Sequence, residues 1–147
     1  MKTESKTLRY QTKGEFDFID ITEEVKKFVG QCGIKNGLVN VQTLHTTAAI
    51  IVNENEPLLL EDIKKNLEKL APGNMDYDHD NLQKRTINVC PDECANGRSH
   101  CKAIYLPVNV ALNLIEGKIQ FGKWQSVMLL ELDHSRSRRV QIQVIGE

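Results

Sequence analysis

The chain has 147 residues, 40% of them hydrophobic and 27% charged, with a formal net charge of −1. That is the size and make-up of one globular domain with a proper core, and it carries no broad field to draw in nucleic acid or an anionic membrane. No apolar run reaches the length of a membrane span, and the polar opening Met1-Lys2-Thr3-Glu4-Ser5-Lys6 does not read as a signal peptide, so the expected location is the cytoplasm.

In chain order, Thr7 to Thr12 alternates Leu8 and Tyr10 with polar residues, as a half-buried strand does, and Glu15 to Asp20 alternates again. Lys13-Gly14 between them predicts a tight turn and an opening hairpin. Asp20 and Glu23 have capping-box spacing. Ile21, Val25, Phe28, Val29 and Cys32 recur at helical intervals before Gly33, which predicts an amphipathic helix over residues 21–32. After the turn Lys35-Asn36-Gly37 comes the stretch that organises the rest. Leu38-Val39-Asn40-Val41 and Ile50-Ile51-Val52 have the β-branched content of a sheet interior, and His45, Thr46 and Thr47 lie between them. Read as one strand, the stretch sets His45, Thr47, Ala49, Ile51 and Asn53 on one face. Small Thr and Ala beside a His leave room for a ligand. The plainer alternative is a core strand whose His is satisfied by a backbone carbonyl.

Pro57 suits the first turn of a second helix, with Leu60, Ile63, Leu67 and Leu70 as its apolar stripe and Pro72-Gly73 as its end. Residues 73–99 are irregular. A loop of that length in a compact domain predicts a function, and His79 within it and His100 after it strengthen that reading. From Cys101 onward the chain reads as sheet: Ile104 to Leu114 alternates with a break at Pro107, Glu116-Gly117 turns, and Lys118 to Phe121 returns. Ser126 to Leu132 is a further strand, residues 133–139 a charged turn, and Val140, Ile142 and Val144 mark a last strand. Seven or so strands, two helices and a predominance of hairpins predict an α+β domain, largely antiparallel.

Three His stand near carboxylates or polar loops: His45 with Glu54, His79 between Asp78 and Asp80, and His100 after the irregular segment. Neutral imidazole ligates zinc and similar metals, and three such ligands with one open position is a catalytic arrangement. A neighbouring carboxylate can orient a ligand or act as a general base. The spacing is no local motif, and three unrelated His are the alternative. Cys90, Cys94 and Cys101 beside His100 depart from zinc-knuckle spacing and read as reduced thiols, with a separate structural zinc site as the alternative. Trp124-Gln125 after Gly122 offers an aromatic face and an amide to a site edge, or is a core Trp beside a bulge. Arg136, Arg138 and Arg139 with Lys102 and Lys123 suit a phosphate or carboxylate, or form a charged hairpin tip.

Taken together, His45-Thr46-Thr47-Ala48 with Asn53-Glu54, Tyr77-Asp78-His79-Asp80, Asn96-Gly97-Arg98-Ser99-His100-Cys101-Lys102-Ala103, Gly117-Lys118-Ile119, Gly122-Lys123-Trp124-Gln125 and the Glu131, Asp133, Arg136, Arg138, Arg139 series resemble the YjbQ family, also known as UPF0047. The resemblance runs from the first strand to the last residue. It implies a compact single α+β domain over residues 1–147, a homotrimer with sites at or near subunit contacts, a metal-binding His cluster, and a weak, secondary thiamine-phosphate synthase activity. Carried over position by position, it implies His45, His79 and His100 as ligands of a divalent metal, zinc or magnesium. It implies Asn53, Glu54, Trp124 and Gln125 as catalytic groups, and Thr46, Thr47, Lys102, Arg136 and Arg138 as contacts to a small phosphorylated substrate. The chain departs from the family pattern at Ile104-Tyr105-Leu106-Pro107-Val108, at Lys123, at Asp133-His134-Ser135-Arg136 and in the Cys-bearing insert at 90–94. The expected function is a metal-dependent thiamine-phosphate synthase-like transferase. A non-catalytic trimer that binds a phosphorylated metabolite or metal, and a metal-assisted phosphoester hydrolase, are the alternatives.

Overall fold

The computed structural model describes all residues, Met1–Glu147. In chain order the elements are β1 (Lys2–Gln11), β2 (Phe18–Asp20), α1 (Thr22–Gln31), β3 (Gly37–Thr43), β4 (Ala48–Asn53), α2 (Pro57–Leu70), a 3₁₀ turn at Asp78–Asp80, α3 (Gly97–Ala103), β5 (Asn109–Ile115), β6 (Lys118–Ile119), β7 (Ser126–Glu131) and β8 (Ser137–Gly146). The strands form two antiparallel sheets, one in the order β1-β8-β3-β5-β6 and the other β2-β7-β4. This is the expected α+β class. No helix is long and apolar enough to cross a membrane.

The two sheets face one another across the main core. β8 alternates strictly, with Arg138, Val140, Ile142 and Val144 inward and Arg139, Gln141, Gln143 and Ile145 outward, and Val39, Val41 and Leu114 add to the same face. Ala48, Ile50, Val127 and Leu129 meet them from the small sheet, and Ile21, just before α1, completes the cluster with Val25 and Val29 of α1. The small sheet is covered on its other side as well. There Ala49, Ile51, Met128, Leu130 and Leu132 pack with Leu67 of α2. A strand buried on both faces needs no alternation, which is why Val127 to Leu130 is an unbroken apolar run.

Four local expectations change. The segments around residues 7–12 and 15–20 do not form a hairpin: β1 pairs with β8 and β2 with β7. The chain crosses between sheets there, with Phe16 at φ 62° and the Lys13 amide donating to Asp17 Oδ2 at 2.8 Å. The organising stretch is two strands, β3 in the large sheet and β4 in the small one, joined by a corner at residues 44–47. The first helix has no reciprocal capping box. Instead Asp20 Oδ1 accepts from the Thr22 amide at 3.0 Å and from its hydroxyl. Residues 97–103 are helix, where irregular chain was expected through 99 and sheet from Cys101, and β5 begins only at Asn109. Pro107 marks the break as expected, and its carbonyl accepts from the Ile50 amide at 3.1 Å.

The Glu116-Gly117 turn joins β5 and β6 with φ 51° and 75°, the left-handed pair of a type I′ hairpin. At the far end of the large sheet Gly37 faces Gly146, and a Cβ on Gly37 would lie 2.0 Å from the Ile145 carbonyl oxygen. The obstacle is backbone, so it cannot swing aside. Gly37→Ala is expected to lower stability by about 1–3 kcal/mol, the range for overpacking. Urea unfolding at pH 7 measures this; a midpoint equal to wild type would show that the strand ends separate freely.

Candidate functional site

The three His come from three different elements; His45 and His100 line one cavity, while His79 touches the His100 ring and lines a separate depression with Lys84 and Arg85. His45 sits at the corner between β3 and β4, His79 in the 3₁₀ turn and His100 in α3. The turn and the helix are locked together by Asp80, whose Oδ1 accepts from the Asn96 and Gly97 amides at 2.8 Å each. Gly97 must be glycine for that approach, because a Cβ would lie 2.5 Å from Tyr77 Cβ. The His79 and His100 rings meet edge to face with centroids 4.6 Å apart. His79 Nε2 is buried and has no hydrogen-bond partner. Burial, with His79 and Arg85 nearby, holds His100 below the ordinary imidazole range against the pull of Asp133 and Glu93, so its ring is neutral at pH 7.

His45 is placed differently. Its Nε2 accepts from the Arg139 amide at 2.8 Å. Burial, helped by the Arg138 and Arg139 charges, keeps this ring neutral too, against the pull of Glu131. A neutral imidazole that accepts at Nε2 carries its proton on Nδ1. His45 therefore offers a donor, and its acceptor lone pair is already used.

His45 and His100 both line a polar cavity of about 310 Å³, whose other walls include Thr46, Asn96, Asp133 and Arg136. Asp133 organises that wall. Its Oδ2 accepts from Asn96 Nδ2 at 3.1 Å and from Arg136 Nη2 at 3.0 Å, and its Oδ1 from the His134 amide at 2.8 Å and ring Nδ1 at 2.7 Å. Burial opposes its ionisation, but the His134 amide, the Asn96 amide, the His134 ring and the Arg136 guanidinium outweigh it and bring its pKa down to about 2. Arg136 gives Asp133 only part of its five-donor fork, which leaves N–H groups for a ligand. A second cavity of about 310 Å³ shares His45, Thr46 and His100 and continues over Ala48, Ala103, Ile104, Leu106 and Val108. The largest depression, about 660 Å³ around Asp76, Asp78, Lys84 and Arg98, contains none of the His.

Other residues singled out from the sequence lie elsewhere or are already committed. Arg138 is buried, and donates through Nε to Glu131 Oε2 at 2.6 Å and through Nη2 to Glu131 Oε1 and to Thr47 Oγ1, the latter at 2.8 Å. Lys102 is fully buried and paired with Glu15 at 2.9 Å and Glu68 at 3.0 Å, with its ammonium over the Phe16 ring. Asn53 pairs with Ser126 at one end of β4, whereas Ala48 pairs with Glu131 at the other. Five residue steps of strand are roughly 17 Å. Asn53 and Glu54, together with the exposed Trp124 and Gln125, thus form a second group at the far end of the small sheet from His45 and Asp133. Glu56 rather than Glu54 caps α2, accepting from the Leu58 and Leu59 amides at 2.9 and 2.8 Å. Cys90, Cys94 and Cys101 are free thiols, and Cys90 reaches the rim of the polar cavity.

Sequence reasoning did not assign Asn96, Glu131, Asp133 or His134 a role. A signal was present: two carboxylates closing an all-apolar strand have to be paired when buried. The donor set can be tested for its fit to a divalent metal. An unpartnered His79 Nε2 against a neutral His100 is a pair suited to a divalent ion, but no group of three His, Cys, Asp or Glu is arranged to hold one. Two imidazoles hold zinc more weakly than the three protein ligands of a catalytic site. The Asp133 contacts make a pH prediction. Its folded-state pKa is lowered, so it adds stability that is full above the unfolded value near 4 and is lost as pH falls toward about 2, worth about 2 kcal/mol. Between pH 5 and pH 2 wild type is expected to lose about 2 kcal/mol more than Asp133→Asn in urea unfolding; parallel losses would remove Asp133 from this role.

Comparisons with known proteins agree with the fold and the family resemblance. The family profile described as "UPF0047 protein YjbQ-like" matches residues 6–147. A UPF0047 protein of Archaeoglobus fulgidus is 37% identical over 138 residues, covering 94% of this chain and 98% of its own. Another from Methanothermobacter thermautotrophicus is 34% identical over 147 residues, covering 100% and 95%. Among solved structures, a YbjQ-like protein of unknown function from Sulfolobus solfataricus superposes with a TM-score of 0.88 at 30% identity over 99% of both chains. A YjbQ/UPF0047 protein from Clostridium acetobutylicum gives 0.82 at 32% identity over 95% of this chain and 99% of its own. The chain belongs to the UPF0047, YjbQ-like family.

Proposed function

We propose that the His45–His100 cavity binds a small phosphorylated substrate, and that a divalent metal held by His79 and His100 assists a reaction on it. The observation that carries this reading is the buried, partnerless His79 Nε2 in edge contact with the neutral His100, which itself lines the polar cavity. A buried imidazole nitrogen left without a partner loses free energy unless something binds it. The metal, when bound, would supply Lewis-acid stabilisation of phosphate oxygens.

The residues of the chain have distinct tasks in this reading. His45 donates Nδ1–H to an anionic oxygen, and Arg136 donates the N–H groups that Asp133 leaves free. Thr46 lines the same wall. Thr47 and Arg138 hold the floor rather than the ligand, and Lys102 anchors α3 from behind. The family resemblance makes thiamine-phosphate synthesis the reaction to test. The carbon–oxygen bond of a hydroxymethylpyrimidine diphosphate breaks, pyrophosphate leaves with the electron pair, and a thiazole phosphate nitrogen forms the new carbon–nitrogen bond. His45 and Arg136 are the groups in reach of the departing charge. Asn53, Glu54, Trp124 and Gln125 join the site only where a neighbouring subunit supplies them, which the proposed homotrimer would do. A non-catalytic binder is favoured by one observation: Asp133, the carboxylate on the cavity wall, is held ionised by four donor groups and is a poor general base.

Zinc content by mass spectrometry, after dialysis against micromolar zinc, tests the ligands. His79→Ala and His100→Ala are each expected to lose metal affinity at least tenfold, while His45→Ala keeps the metal and loses phosphate affinity. Full metal in both of the first two variants would sink the assignment. Incubation of wild type with the two phosphorylated precursors then separates the classes. Coupled product supports the transferase, inorganic phosphate the hydrolase, and binding without turnover the binder.

A further inference from the structure

We infer that the site takes an amphiphilic anion, a phosphate-type head carrying a flat or chain-like apolar body, rather than a fully polar metabolite. This rests on the reading that the polar cavity binds an anion. The juxtaposition that carries it is two cavities of about 310 Å³ each, polar on one side and apolar on the other, that share His45, Thr46 and His100.

The apolar half is built by two segments that meet at the β3–β4 corner. The Thr43 amide donates to the Val108 carbonyl at 3.0 Å and the Ile50 amide to Pro107 at 3.1 Å, which fixes residues 104–108 beside His45. Ala48 and Ala103 are small and leave the floor open. Ile104 is 81% exposed and Val108 51% exposed, so both present hydrocarbon to solvent beside a ready-made polar contact. Both cavities together fall in the size range of small-molecule sites, which are mostly apolar with a few placed polar groups. A small hydrophilic anion would fill one half and leave the other wet, and a hydrocarbon would leave the His45 Nδ1–H and the Arg136 donors without an acceptor. A ligand with both parts satisfies both halves at once.

Alkyl phosphates test the proposal with full-length protein and calorimetry. Inorganic phosphate and methyl phosphate probe the polar half, hexyl phosphate both halves, and hexanol the apolar half alone. Each methylene removed from water is worth about fourfold in affinity. Hexyl phosphate is therefore expected to bind at least tenfold more tightly than methyl phosphate, and hexanol too weakly to measure. Ile104→Gln, at an exposed position, should remove most of that gain and leave methyl phosphate unchanged, while Arg136→Ala should weaken both phosphates. Equal affinity for methyl and hexyl phosphate would overturn the amphiphile and leave the anion site standing. Absence of binding by every phosphate would overturn the anion reading itself. A sedimentation mass that falls in Ile104→Gln, with no hexyl preference in wild type, would overturn the inference and assign the apolar half to a subunit contact.

Discussion

The buried pair of Glu131 and Arg138 is the constraint on which this end of the molecule depends. Burying a carboxylate is costly unless its charge and lone pairs are met, and here they are met by separate parts of the chain. Glu131 Oε2 accepts from Thr12 Oγ1 at 2.8 Å and from Arg138 Nε, and Oε1 from Arg138 Nη2 and from the Leu132 and Asp133 amides at 3.1 and 2.9 Å. Arg138 in turn reaches Thr47, at the start of β4. One carboxylate thus gathers the end of β1, the end of β7, the beginning of β8 and the corner before β4. Removing one partner of such a pair typically costs about 3–5 kcal/mol, because the other charge is left alone in the interior.

That arrangement decides which charges remain for chemistry. Arg138 is near the cavity but has its fork committed to Glu131, and Lys102, on the α3 that bears His100, is spent on Glu15 and Glu68. Both were natural candidates for phosphate binding, and both serve the fold. The cavity keeps Arg136 and the His45 Nδ1–H. Few donors close to the neutral His100 suit one anionic group rather than several, so the remaining wall space is free to be apolar.

What was legible in the sequence follows the range of the interaction. The alternation of Val140, Ile142 and Val144 and the stripes of α1 and α2 are local patterns, and they lie where expected except at Leu70, which ends the α2 stripe exposed. Which strand pairs with which is not local. The alternating runs at each end of Lys13-Gly14 looked like a hairpin, yet each joined a different sheet, because burial on a face does not name the partner strand. The corner at residues 44–47 was hidden for a related reason: strand-forming residues lie on both sides of it. Helix α3 has only seven residues and no readable apolar period, and it is held by Asp80, Glu15 and Glu68 from distant segments. The candidate site shows the same division. Three His in reach of polar segments could be read off the chain, but the edge contact of His79 with His100 depends on Asp80 bridging back to Asn96 and Gly97.

The tautomer of His45 carries the last step. A backbone N–H aimed at Nε2 from Arg139 takes the lone pair that a metal would need and fixes the proton on Nδ1. That hydrogen bond exists because the corner at residues 44–47 lies against the first residues of β8, whose Arg139 carbonyl also accepts from the Leu44 amide at 3.2 Å. The same residue of β8 therefore holds the corner and sets the chemistry of its imidazole. Three His that look equivalent in the sequence are divided by the fold into a pair with an unused nitrogen and a single oriented donor. In the proposed reading these are separate tasks, holding a metal and meeting a ligand's charge, and the wall that His45 and His100 share is where the polar half of the site gives way to the apolar half.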